Sequence, residues 1–203
     1  MPKASRYRRK SRKGLNFLIW LVVIAIFAGG IVFFVANYAE DTKIELQKIN
    51  YPQDYSEYVE RAAEEYDLHP ALIYAVIRTE SGFDTTAQSG AGACGVMQMM
   101  PSSFEWLQEK RGVSGQFETE DLYNPEICID YGCYLLRYFL DFYGDEKCAV
   151  AAYNAGFVVS DWLADEQYSS DGLTLTEIPF PETSNYVDKV KSAKDMYIKL
   201  YYS

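Results

Sequence analysis

Residues Phe17 to Ala36, FLIWLVVIAIFAGGIVFFVA, carry no charge and no strongly polar side chain over 20 positions. At about 1.5 Å per residue such a helix spans the roughly 30 Å hydrocarbon layer of a bilayer. Seven basic residues (Lys3, Arg6, Arg8, Arg9, Lys10, Arg12, Lys13) precede it, and no acid occurs before Glu40. Positive charge resists translocation, which places the N-terminus in the cytoplasm and everything after Asn37 outside. A cleaved signal peptide has the same order of basic then apolar, but its apolar core is shorter, about 7–15 residues, and ends at a small-x-small site. The sequence NYAED after this stretch is a poor cleavage site. The expected division is a basic tail at 1–14, a transmembrane helix at 15–37, a polar stalk at 38–54 and a folded domain at 55–203, in a single-pass protein of the cell membrane.

From Glu40 onward the chain holds 12 basic against 29 acidic residues, a formal net of −17. Nucleic-acid binding requires basic surface to neutralise phosphates, so that class of partner is excluded. Cys94, Cys128, Cys133 and Cys148 all fall on the external side, where disulfides persist. Cys128 and Cys133, on one helix, lie roughly 140° apart around it, which disfavours joining them to each other. Two cross-pairings remain, or four free thiols. With His69 the only histidine and no CxxC pair, no metal site is expected, and no cofactor.

The external part reads as helices. Tyr55, Tyr58, Val59, Ala62, Ala63 and Tyr66 follow one helical face. DLHP then interrupts, and Pro70 opens a second helix, PALIYAVIRTE, leaving His69 in the break. SSFEWLQEK reads as a helix entered through a serine cap. NPEICIDYGCYLLRYFLDFYG starts at Pro125 and stops at Gly144, EKCAVAAYNAG closes on Gly156, and TSNYVDKVKSAKDMYIKLYY is the last helix. No segment alternates cleanly with period two, so the domain is expected to be mostly α.

The second helix ends on a carboxylic acid, Glu80, behind Leu72, Ile73, Val76 and Ile77. Apolar walls raise a carboxyl pKa and keep the proton available for donation. Taken alone, the residue is better read as an exposed helix-end glutamate. The residues after it carry a more specific signal: Ser81-Gly82-Phe83, Ser89 before a Gly/Ala turn, GVMQ at Gly95–Gln98, NPEICIDYG, AYNAG at Ala152–Gly156 and ETSNYV at Glu182–Val187. In this order the motifs resemble the catalytic domain of the soluble lytic transglycosylase family over about Tyr55 to Lys199. The departures are few: Val96 stands for a leucine, and Cys128 stands where the family usually has asparagine.

The resemblance implies a lysozyme-like, goose-type or transglycosylase helical domain that acts on peptidoglycan glycan strands. It implies Glu80 as general acid and then base, cutting the β-1,4 bond between N-acetylmuramic acid and N-acetylglucosamine without water. The N-acetyl carbonyl assists, and the sugar's own 6-hydroxyl closes a 1,6-anhydro ring. Ser89 and Tyr153 are expected to hydrogen-bond the glutamate or the N-acetyl group, and Ser81, Gln98, Asn154 and Glu182 to line the glycan site. Met97 and Tyr186 are expected to offer apolar contact to a sugar face. Two alternatives stand beside this: a hydrolytic lysozyme of the same fold, and a non-catalytic wall-binding scaffold of an envelope machine, for which the acid would be superfluous.

Overall fold

The structure is a computed structural model that describes residues 12–203, so most of the expected basic tail lies outside the described residues. The chain divides into two units at Asn50/Tyr51.

The first unit contains one helix, α1 (Arg12–Asn50). Its segment from Phe17 is long and apolar enough to cross a membrane. The expected polar stalk is helical as far as Asn50. The physical reason is that Lys43, Glu45, Leu46, Gln47 and Lys48 are good helix formers, and extending an existing helix needs no new nucleus.

The second unit, Tyr51–Ser203, holds seven helices: α2 (Ser56–Glu65), α3 (Pro70–Glu80), α4 (Pro101–Arg111), α5 (Pro125–Tyr143), α6 (Glu146–Ala155), α7 (Val159–Ala164) and α8 (Pro181–Tyr201). Among the described residues β-structure is confined to two isolated bridges, Gln88 with Cys94 and Cys94 with Met99. The domain is therefore mostly α, as the patterning implies. Helix α4 opens on Pro101 with Met100 as its cap residue, not on a serine. A proline at the first helical position supplies the right φ and gives up only an N–H that had no helical partner. His69 is more than a break in the chain, because its Nδ1 accepts from Ala71 N at 3.1 Å and caps α3.

Helix α3 is the core element. Every residue from Ala71 to Ile77 is buried, so this helix is surrounded by protein on all sides. Burying each of its large aliphatic side chains stabilises the fold by about 1.5–3 kcal/mol. Helix α8 packs antiparallel along it, since Tyr186 meets Glu80 at one end and the Tyr197 ring stacks on Tyr74 at 5.2 Å further down. The loop between α3 and α4 lies close against the 3-10 turn at Thr119–Tyr123 and against α5 at two glycines. A Cβ on Gly95 would stand 2.0 Å from the Leu122 carbonyl oxygen, and one on Gly132 would stand 2.4 Å from the Met97 sulfur.

Candidate active site

Glu80 is the last residue of α3, and the chain turns sharply after it. Gly82 and Phe83 both take left-handed backbone conformations, with φ +62° and +72°. Ser81 Oγ donates to the Val96 carbonyl at 2.8 Å, tying the end of α3 to the far side of the loop. This hydroxyl therefore shapes the loop, a different task from the glycan contact expected of it. The Ser89 hydroxyl accepts from Ala93 N at 3.0 Å, and the two backbones are joined by Ser89 N to Ala93 O at 2.9 Å. Its proton remains available for donation.

The glutamate is half-buried, and Tyr186 donates to its Oε1 at 2.7 Å. Burial raises the carboxyl pKa to about 7, against a smaller lowering by the Tyr186 hydrogen bond. The C-terminal end of a helix also disfavours negative charge, which acts in the same direction as burial. Tyr153 donates to the Met97 carbonyl at 2.9 Å. Burial, and then the charge of Glu80, hold the Tyr153 phenol above its ordinary value. The same two causes act on Tyr186. One carboxyl and two phenols thus share a single patch where α3, α6 and α8 meet the 81–100 loop.

The partners differ from the sequence expectation in an instructive way. Tyr186, expected as an apolar sugar contact, is the residue bonded to the glutamate; Tyr153, expected on the glutamate or the N-acetyl group, is bonded to the loop backbone. Met97 is fully buried and packs on Gly132, so its side chain is withheld from any glycan. The neighbouring Met100 is 38% exposed at the head of α4. The Gln98 side chain donates its amide to the carbonyls of Ala87 and Gly95, both at 3.0 Å, and holds a φ of +47°. Asn154 is exposed, with its Oδ1 accepting from Thr183 at 2.8 Å. Glu182 is exposed in the first turn of α8, one turn before Tyr186. Thr183 escaped sequence reasoning, although it sits inside the ETSNYV motif.

The nearest acid in sequence, Asp84, is turned into its own loop. Its Oδ1 accepts from both Thr86 N and Thr86 Oγ1 at 2.8 Å, and these bonds hold its pKa below the ordinary carboxylate value. A pocket of about 470 Å³ between α2 and α5 does not include Glu80 in its walls. Four of its five charged side chains are already paired, Arg61 with Glu126 at 2.6 Å and Arg111 with Asp130 at 2.5 Å. Among the described residues no group of three or more His, Cys, Asp or Glu comes together.

Of the alternatives left open for Cys94, Cys128, Cys133 and Cys148, the structure has four buried free thiols. The physical reason is local. Cys128 Sγ accepts from Met97 N at 3.4 Å inside the α5–loop contact, while Cys148 Sγ points to the Leu173 carbonyl at 3.8 Å. Burial pushes both thiols up to about 12, and a protonated thiol is a poor nucleophile.

The chain is similar to known proteins. Residues 57–172 match the family model described as the transglycosylase SLT domain. The chain is 30% identical over 154 residues to the soluble lytic murein transglycosylase of Escherichia coli K12, covering 74% of this chain and 24% of that protein. It is 28% identical over 170 residues to membrane-bound lytic murein transglycosylase C of Actinobacillus pleuropneumoniae serotype 5b, covering 73% and 47%. Among solved structures, an inactive mutant of lytic transglycosylase Slt from Pseudomonas aeruginosa superimposes with a TM-score of 0.65 at 32% identity, covering 75% of this chain and 25% of that one. The chain thus spans about a quarter of the length of the soluble relative it matches.

Proposed function

Because this chain belongs to the transglycosylase SLT domain family, we propose that its domain cleaves murein glycan strands and that Glu80 carries the reaction. The observation that carries the proposal is a half-buried carboxyl with a pKa of about 7, held in place by Tyr186. Such a group is protonated often enough near neutral pH to act as an acid, and its conjugate base is strong enough to take a proton back. Glu80 gives its proton to the glycosidic oxygen. The substrate's N-acetyl carbonyl stabilises the anomeric carbon, the task that a second carboxylate performs in most glycosidases. The ionised Glu80 then removes the proton of the 6-hydroxyl, and that oxygen closes the 1,6-anhydro ring. The commitment of Asp84 to Thr86 favours this substrate-assisted route over one with a second protein acid. Tyr186 holds the carboxyl in reacting geometry, and Tyr153 holds the Met97–Gln98 wall opposite it.

The apolar helix α1 and the resemblance to a membrane-bound relative support anchoring at the membrane. The basic residues ahead of the apolar stretch favour an N-terminus in the cytoplasm and a domain on the wall side. A Glu80→Gln substitution keeps size and hydrogen bonding but removes the transferable proton. Turnover of murein is expected to fall by about 10²–10⁴-fold, with binding to murein retained in a pull-down. Turnover like that of the wild type would contradict the assignment.

A further inference from the structure

The opening turns of α8 hold two residues of the site at once. Tyr186 donates to Glu80, and Thr183, three positions earlier on the same helix face, donates to Asn154 Oδ1 at 2.8 Å. Thr183 is only 2% exposed, and among the described residues this bond is the one its hydroxyl makes. A hydroxyl has a single proton to give. Were the Asn154 amide turned over, that proton would face N–H groups and stay buried without an acceptor, which is unfavourable. The bond therefore fixes which edge of the amide faces outward. Oδ1 points in at Thr183, and Nδ2 is left on the outer side of an exposed residue at the end of α6, with no hydrogen bond to another of the described residues.

An outward Nδ2 only donates. The hydroxyls of a glycan both give and take hydrogen bonds, whereas its acetamido carbonyls only accept, so the carbonyls are the groups that match this edge. Glu182, exposed beside Thr183, would by itself attract an ammonium; the outward N–H groups oppose one. We propose that Thr183 is a positioning residue that sets the specificity of the site: it makes Asn154 a fixed donor for an acetamido carbonyl of the strand, so that N-acetylated glycan is preferred to glycan carrying free amines. The inference rests on the murein reading above. Because Thr183 and Tyr186 stand on one rigid element, the amide donor and the Glu80 carboxyl are held in register with each other.

The test uses full-length protein in detergent micelles on two substrates: murein strands with every sugar N-acetylated, and strands whose glucosamine residues alone are deacetylated. Thr183→Val keeps the shape of the side chain and removes its hydroxyl. It is expected to raise KM on the acetylated strands about 3–10-fold and to narrow the difference in KM between the two substrates. A loss of kcat with that difference unchanged sustains the positioning role and assigns the carbonyl to the muramic sugar. Thr183→Ser, which restores the hydroxyl, returns the constants toward wild type. Asn154→Asp keeps the acceptor for Thr183 but puts an oxygen in place of the outward donor, and is expected to lower kcat/KM at least as far as Asn154→Ala. Thr176→Val makes the same change in the connection before α8, where the hydroxyl donates to the Tyr168 carbonyl, and leaves the constants at their wild-type values. Wild-type constants in Thr183→Val, equal impairment of Thr183→Ser and Thr183→Val, or wild-type activity of Asn154→Asp each overturn the proposal. Calorimetry with a tetrasaccharide of alternating N-acetylglucosamine and N-acetylmuramic acid separates these outcomes from failure of the catalytic reading. Binding that Thr183→Val weakens and Thr183→Ser regains, with no cleavage of either strand, sustains the positioning role and sinks the murein reading. Cleavage that none of these variants changes does the reverse.

Discussion

At the scale of single residues, the behaviour of this protein should follow the proton on Glu80. In the unfolded chain that carboxyl ionises near 4.5, and in the folded domain near 7. Below about pH 4.5 both states hold the proton and no difference arises. Between 4.5 and 7 the unfolded chain releases its proton first, so stability declines as pH rises and levels off above 7, at a cost on the order of 3 kcal/mol. Glu80→Gln removes that cost, and thermal melts should show it more stabilised at pH 8 than at pH 5; equal shifts at both pH values would contradict the buried-carboxyl account. In the active enzyme kcat/KM is expected to fall about tenfold per pH unit above the Glu80 pKa. The Tyr186 bond favours the ionised form, so Tyr186→Phe should move that alkaline limb to higher pH and lower kcat by up to about 10²-fold. A pH–rate profile measures both, and an unmoved limb would mean that Tyr186 does not touch the catalytic carboxyl. The apolar neighbours of Glu80 in sequence point to the raised carboxyl pKa that burial produces. Its partner's role was not legible, because Tyr186 lies 106 residues away and the choice between two tyrosines is made only when α8 packs on α3. Met97 and Met100 pose the same problem: their spacing permits either to face a ligand, and only the packing of Met97 on Gly132 decides it.

At the scale of elements, prolines and glycines made most boundaries readable. Helices α3, α4, α5 and α8 all begin on a proline, and α5 ends on Gly144 with φ +68°. The start of α4 was misplaced by one residue because two serines after Pro101 imitate a cap. The short α7 and the 3-10 turn at Thr119–Tyr123 were not legible, being too short for a periodic signal. The glycines with the largest structural consequences are Gly95 and Gly132. Beyond its chain neighbours, no protein atom lies within 4 Å of a Cβ built on Gly82, Gly90 or Gly92, whereas Gly95 combines φ +75° with the 2.0 Å approach to Leu122. Gly95→Ala is therefore expected to cost about 2–5 kcal/mol from left-handed strain plus overpacking. A denaturant titration checks this, and a loss below about 1 kcal/mol would mean that the loop and the 3-10 turn are not locked together. Activity should fall with it, since the same loop carries the Met97 carbonyl that receives Tyr153.

At the scale of the whole molecule, the chain joins an apolar helix to a compact acidic domain, and the two parts were legible for different reasons. The apolar helix is visible from composition alone. The domain's fold was legible through an ordered series of motifs, while the state of its thiols stayed open between cross-links and free thiols until packing was known: all four are buried, with Cys128 Sγ against the Cys94 carbonyl. The proposed chemistry converges on one event, transfer of the Glu80 proton to a glycosidic oxygen followed by ring closure without water. The most direct test is mass spectrometry of the muropeptides released from purified murein by the full-length protein, wild type beside Glu80→Gln. Anhydro-muramic ends, lighter by one water than hydrolysis products, are expected from the wild type and not from the variant. Reducing-end sugars from the wild type, or anhydro ends from both proteins, would contradict the role given to Glu80.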